Sequence, residues 1–260
     1  MTGAEALVRW RHPTLGIIPP DQFIPLAEQT DHIDRLTDWV VAAVVKQMAE
    51  WRADNPALEV SINISAKNLD ELHFPDRMHQ HCQDGGVDSG SITLELTETG
   101  VMREAAQAMD VLTRLRLKGF KLAIDDYGTG YSSLVQLQQM PFSEIKIDRS
   151  FVNRMNHNQG CKTIVESLIC LASKLGLRSV AEGVEDEATL HSLIALGCDA
   201  AQGYYLSRPV AADRITGCVS NYKLVRKSSK VLRLLSNSPF TNFQAWRRSA
   251  SLRNQPERGL

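Results

Sequence analysis

The chain has 260 residues, 43% of them apolar, and a formal net charge of −1, a length that one α/β barrel commonly fills. Its five cysteines are scattered and form no CxxC pair, which argues against a disulfide framework or a zinc cage and fits a reducing cytosol. No apolar run approaches the roughly 20 residues of a membrane span. MTGAEALVRW lacks the basic start and apolar core of a signal peptide, so a cytoplasmic location is expected.

In chain order, helical and β-like runs alternate. DRLTDWVVAAVVKQMAEW (34–51) carries apolar residues at helical spacing and precedes the strand candidate LEVSINIS (58–65). SITLELTE (91–98) follows as a strand, then REAAQAMDVLTRLRLKG (103–119) as a helix closed by Gly119. FKLAIDD (120–126) and SEIKID (143–148) read as strands, and CKTIVESLICLASKLG (161–176) as a helix closed by Gly176. LRSVAEG (177–183) is another strand candidate. EDEATLHSLIALG (185–197) opens with acids, which suit a helix N-terminus, and a last strand lies around DAAQGYYL (199–206). Strands separated by helices imply βαβ units and a mostly parallel sheet.

Charge is unevenly placed. From Tyr222 onward nine Lys or Arg face one Glu, so the basic end is offset by an acidic body. YKLVRKSSKVLRLL (222–235) interleaves Leu, Val and Tyr with cations. One reading is a basic amphipathic helix lying on an anionic membrane or nucleic acid. The plainer reading is a solvated, flexible extension.

Polar residues recur where strands end: Asn63, Glu95, Glu98, Asp125, Asp126, Lys146, Asp148, Glu182, Glu185 and Gln202, with Glu5 near the start. On an α/β barrel, the C-terminal ends of several strands build one active site. So many converging carboxylates repel one another unless cations sit among them. Oxygen ligands of this kind suit Mg²⁺ or Mn²⁺. Asp125 and Asp126 are adjacent, and successive strand side chains face opposite ways. Both reach one site only if the chain bends there, which the following loop with Gly128 and Gly130 would permit. The alternative for any single strand-end Asp is a helix cap, and Glu98 could equally anchor a loop. His79 and His81 have no metal-binding spacing and read as surface residues. His12 reads as shaping the loop after its strand, Tyr127 and Tyr131 as packing residues, and GTG (128–130) is too short for a phosphate-loop fingerprint.

EALVRW (5–10), SINIS (61–65), ELTE (95–98), IDDYGTGYSSL (124–134), IKID (145–148), AEGVE (181–185) and QGYYLSRP (202–209) together resemble the EAL-domain family of cyclic di-GMP phosphodiesterases, from Gly3 to about Ser220. The resemblance implies a TIM-like (β/α)8 barrel that opens cyclic di-GMP to linear pGpG with two Mg²⁺ or Mn²⁺ ions. It implies Glu5, Asn63, Glu95 and Asp125 as ligands of a first metal. Asp125 and Asp126 would hold a second, with Glu182 close by. Lys146 would touch the attacking water or the phosphate, Gln202 would orient that water, and Arg9 would pair with a phosphate. Leu7 and Asp148 would lie along the substrate. Glu98, with Gly128, Thr129, Gly130 and Glu185, would support the 126–134 loop, and the side bearing that loop would pair two copies. The class-distinct alternative is a catalytically silent cyclic di-GMP receptor or protein-binding module, or an inactive remnant.

Family members usually carry a strand before EAL with a Gln-Pro pair that contacts substrate. Here Glu5 is the fifth residue. The expectation is therefore a barrel missing its first strand over residues 1–220, followed by a basic tail, 221–260.

Overall fold

The computed structural model describes residues 3–52, 55–103, 105–130, 134–215 and 242–248. Its centre is a ring of strands. β1 (Gly3–Leu7), β4 (Glu59–Asn63), β5 (Ile92–Thr97), β6 (Lys121–Tyr127), β7 (Glu144–Ile147), β8 (Arg178–Ala181) and β9 (Ala200–Gln202) lie side by side in that order, each parallel to the next. The ring is closed by β11 (Asn242–Arg248), antiparallel to both β1 and β9, and the short β10 (Val210–Ala211) adds to β11. A small hairpin, β2 (Trp10–His12) and β3 (Gly16–Ile18), follows β1. His12 Nδ1 accepts from the amides of Thr14 and Leu15 at 3.3 and 3.2 Å, holding the turn of that hairpin.

Helices cover the outside: α1 (Pro20–Gln29), α2 (Ile33–Trp51), α3 (Phe74–Asp84), α4 (Glu98–Arg103), α5 (Ala105–Leu117), α6 (Leu134–Gln139), α7 (Arg149–Val152), α8 (Gln159–Leu175) and α9 (Glu187–Ala195). The four expected helices are there, with the 103–119 pattern opening earlier, at Glu98, as two helices. α8 starts from Asn158, whose side chain accepts from Cys161 N, and ends at Gly176 in the left-handed region. Sequence periodicity missed α1 and α3. α1 carries Pro25 in its interior, a residue that normally breaks a helix. α3 is mostly polar and buries only Phe74, Pro75, Met78 and Cys82. His79 and His81 lie on α3, half-buried against Ser89 and Asp38. The four described cysteines are free, and Cys218 lies outside the described residues.

Strand alternation explains where the core sits. Val60, Ile62, Leu94, Leu96, Leu122, Ile124, Ile145 and Ile147 belong to the buried apolar core with residues of the helices, such as Val41, Val44, Leu112 and Val165. The alternate residues face into the ring, and they are polar or small. Near the start of the strands, Arg178 Nη1 meets Glu59 and Glu144 across the ring at 3.3 and 3.2 Å. Lys121 meets Glu59 at 2.7 Å, and Thr93 donates to Glu144 at 3.3 Å. This charged floor closes one end of the barrel. Val180 and Ala200 form a small apolar layer apart from the main core.

The expected final strand, 199–206, is shorter in the structure. It stops at Gln202, and the Gly203 that follows packs against the backbone of Val184. The stretch 222–235 lies outside the described residues, as do Tyr131 and the boundary placed at residue 221. Residues 242–248, expected within a flexible tail, form a barrel strand instead. No described helix is long and apolar enough to cross a membrane.

Candidate metal centre

The inward-facing residues one or two steps above the floor are those that the sequence singled out. Glu5 comes from β1, Asn63 from β4, Glu95 from β5, Asp125 and Asp126 from β6, Lys146 from β7 and Gln202 from β9. Glu182 follows β8 directly. Asn63 Nδ2 donates to Glu5 Oε1 at 2.7 Å, and Gln202 Nε2 donates to Glu5 Oε2 at 2.5 Å. Lys146 stands at the centre. Its Nζ lies 2.7 Å from Glu95 Oε2, 2.7 Å from Glu182 Oε1 and 3.1 Å from Asp125 Oδ1, with its own side chain 3% exposed.

The adjacent aspartates are reconciled by the backbone of β6. Its register with β7 shifts between Ile124 and Tyr127, and Asp126 adopts φ 53. A non-glycine residue rarely adopts this left-handed conformation, although Asp is among those that tolerate it best. The bend therefore falls on Asp126 itself, before the glycines that sequence reasoning held responsible. It brings ligand oxygens of Asp125, Asp126 and Glu182 within 4.8 Å of one another, an arrangement able to hold a metal ion.

Electrostatics follow from crowding. Burial pushes Glu95 well above the ordinary carboxylate range, and Glu5 and Asp125 push the same way against the pull of Lys146. Burial also raises Glu182 to about 8, again with Asp125 and Glu5 adding to it and Lys146 opposing. Asp126 is raised to about 6 by burial and by the charges of Asp125 and Asp148. Burial alone would lower Lys146, but Asp125, Glu182, Glu95 and Glu5 hold it well above its usual value, so it is an ammonium at any working pH. Carboxylates raised in this way gain most from a divalent cation, which replaces the protons they otherwise retain. The donor set, all oxygen and mostly carboxylate, fits a hard ion such as Mg²⁺ or Mn²⁺.

The surrounding residues take distinct places. Glu98 is buried, and its Oε2 accepts from Gly128 N at 2.9 Å and Gly130 N at 3.2 Å, tying down the start of the loop after β6. A β-carbon on Gly130 would lie 2.7 Å from Glu98 Oε1, so the loop approaches that carboxylate as closely as glycine allows. Thr129 Oγ1 donates to the Asp126 carbonyl at 2.9 Å, closing the same turn. Asp148 caps α7, accepting from Ser150 N at 2.9 Å. Burial works against its charge, but hydrogen bonds from Ser150 and Asp126 hold it below the usual range. Leu7 and Arg9 are half-buried, with Arg9 Nη1 donating to the Val8 carbonyl at 2.8 Å. Glu185 is exposed ahead of Asp186, the residue that actually caps α9.

Sequence reading missed Gly203. Val184 N donates to the Gln202 carbonyl at 2.9 Å, and Tyr205 N to the Val184 carbonyl at 3.0 Å. A β-carbon on Gly203 would meet the backbone N and O of Val184, both at 2.2 Å. Only glycine lets the ends of β8 and β9 come this close, and with them Glu182 and Gln202. The available signal was a glycine directly after a strand-end polar residue.

Comparison with known proteins bears on this arrangement. The profile of the EAL domain matches residues 1–209. This chain belongs to the EAL domain family. It is 39% identical over 214 residues to the cyclic di-GMP phosphodiesterase PA2567 of Pseudomonas aeruginosa, covering 82% of this chain and 36% of that protein. It is 41% identical over 207 residues to the cyclic di-GMP phosphodiesterase NbdA of the same organism, covering 79% and 26%. The chain thus spans about a third of the length of such EAL relatives. Among solved structures, PaMucR phosphodiesterase in complex with c-di-GMP superposes with a TM-score of 0.79 at 38% identity, over 83% of this chain and 87% of that one.

Proposed function

We infer that this EAL domain hydrolyses cyclic di-GMP to linear pGpG with two divalent ions, Mg²⁺ or Mn²⁺. One observation carries the reading: strand-end carboxylates from β1, β5, β6 and β8 meet at the mouth of the barrel, with oxygens of Asp125, Asp126 and Glu182 within 4.8 Å of one another. Glu5, Asn63, Glu95 and Asp125 would hold one ion, and Asp125, Asp126 and Glu182 the other. Bound there, the ions would activate water and neutralise charge on the scissile phosphodiester. Lys146 cannot act as a base, because it is held protonated by its three carboxylate neighbours. Its role is to donate hydrogen bonds to the attacking oxygen or the phosphate and to stabilise developing negative charge. Gln202, anchored on Glu5, would orient that water. Arg9 offers a guanidinium to a substrate phosphate, and Leu7 and Asp148 line the substrate.

The reading extends to a cytoplasmic location and to pairing of two copies on the 126–134 loop side. There Leu134 and Val135, at the start of α6, are 51% and 61% exposed. The test is incubation of the purified chain with cyclic di-GMP and Mn²⁺, with chromatographic detection of pGpG. Turnover lost with EDTA and with Glu5→Ala is the expected result. Binding without turnover would make the domain a receptor and end the catalytic proposal.

A further inference from the structure

We propose that β11 is a positioning strand for the metal centre: residues 242–248 of the chain's own C-terminal segment dock between β1 and β9, and this docking sets where Glu5 stands relative to the other ligands. The inference builds on the proposed two-ion site and adds an element that the seven motifs of the family do not contain.

Asn242 through Trp246 pair with Leu7 back through Gly3, so position 244 is level with Glu5. Trp246 through Arg248 pair with Gln202 back through Ala200. β11 is thus flanked on both sides, and its two neighbours carry site residues, Glu5 and Gln202. Their side chains bond to each other at 2.5 Å across the seam. Neighbouring strands lie about 4.8 Å apart, so β1 and β9 stand roughly 9.6 Å apart with β11 between them. Among the described residues, two states remain without β11. Either β1 and β9 are left as open edges, with unpaired amides and carbonyls, or they close on each other and move by about one strand spacing. Metal coordination tolerates about 0.2 Å, so neither state keeps Glu5 on the ion that Glu95 and Asp125 share. An antiparallel closing strand also needs no crossover helix, which lets a segment joined by a long connection fill the slot.

The test uses the full chain and two variants. In Ala4→Cys/Ala245→Cys the altered positions are directly opposed. Opposed Cα atoms in antiparallel strands are about 4.5–5.5 Å apart, within disulfide reach. Copper-phenanthroline oxidation followed by peptide mapping should find a 4–245 link within single molecules. In Ala245→Pro the proline removes an amide from a strand paired on both sides. It should lower the melting temperature by at least about 5 °C and raise the Mn²⁺ concentration at half-maximal thermal stabilisation about tenfold or more, because Glu5 is displaced from the other ligands. Absence of the link, a link only between molecules, or an Ala245→Pro protein matching the parent would overturn the proposal. So would a lower melting temperature with an unchanged Mn²⁺ midpoint, which is what a merely structural strand would give. Neither readout depends on turnover, so the result stands even if cyclic di-GMP proves not to be hydrolysed.

Discussion

Lys146→Met tests the electrostatic account of the site most directly. The ammonium lies 2.7, 2.7 and 3.1 Å from carboxylates of Glu95, Glu182 and Asp125, and it is almost fully buried. At an effective dielectric of about 20, each such contact is worth about 5 kcal/mol of attraction before desolvation is counted. Desolvation offsets most of that, and removing one partner of a buried ion pair costs about 3–5 kcal/mol net. For a domain of this size 1 kcal/mol moves the melting temperature by roughly 2–4 °C, so a fall of about 6–20 °C is expected. The measurement is circular dichroism melting in EDTA at pH 8.5, above the value of about 8 to which Glu182 is raised. Two further shifts must accompany the fall. Saturating Mn²⁺ should recover most of it, because the ions supply the missing positive charge. Melting at pH 5.5 should shrink it, because protons do the same. Hydrolysis should be lost in every condition. A variant that melts within about 2 °C of the parent in EDTA at pH 8.5 would show that Lys146 is not the counter-charge of these carboxylates.

The raised carboxylates set the pH dependence of the metal-free protein. Asp126 and Glu182 hold protons more tightly folded than unfolded, so their contribution is complete below the ordinary carboxylate range and lost as pH rises through about 6 and then about 8. Melting temperature in EDTA should therefore fall between pH 4.5 and 8.5, and saturating Mn²⁺ should flatten that fall. A melting temperature in EDTA that rises across this interval would contradict the assignment. Glu98→Gln removes a charged acceptor from two loop amides, Gly128 N and Gly130 N. A loss of about 1.5–3 kcal/mol in loop anchoring is expected, seen as protease cleavage within 126–134 and a lower kcat in steady-state assays. Gly203→Ala would place a carbon 2.2 Å from the Val184 backbone. Forcing β8 and β9 apart should lower the melting temperature by several degrees and weaken Mn²⁺ binding by calorimetry, whereas Gly197→Ala, with no atom within 4 Å, should carry only the strain of its left-handed φ of 78° and leave Mn²⁺ binding unchanged.

The site was legible because barrel chemistry is written at one end of each strand. Glu95, Asp125, Lys146, Glu182 and Gln202 recur one βα unit apart, and parallel pairing must bring such ends together. Less legible was how adjacent aspartates share one site. No glycine marks position 126, and the left-handed turn there is imposed by the shift in strand register. Local periodicity failed where tertiary packing overrode it: a helix with an internal proline at Pro25, and a polar helix held by four buried side chains. It failed again at 242–248. Arg247 and Arg248 beside Trp246 look like solvated tail, and only the vacant place between β1 and β9 makes a strand of them. A pairing partner so remote in sequence leaves no local trace.

That remoteness has a consequence for synthesis. Gly3 waits for Trp246, and at about 5–20 residues per second the ribosome takes on the order of tens of seconds to make what lies between. Until then the side of β1 that β11 takes, Gly3 to Leu7, lacks the partner it has in the finished fold. Any chaperone that shields this side, or any neighbouring polysome that presents a complementary segment, competes with the molecule's own late-arriving strand.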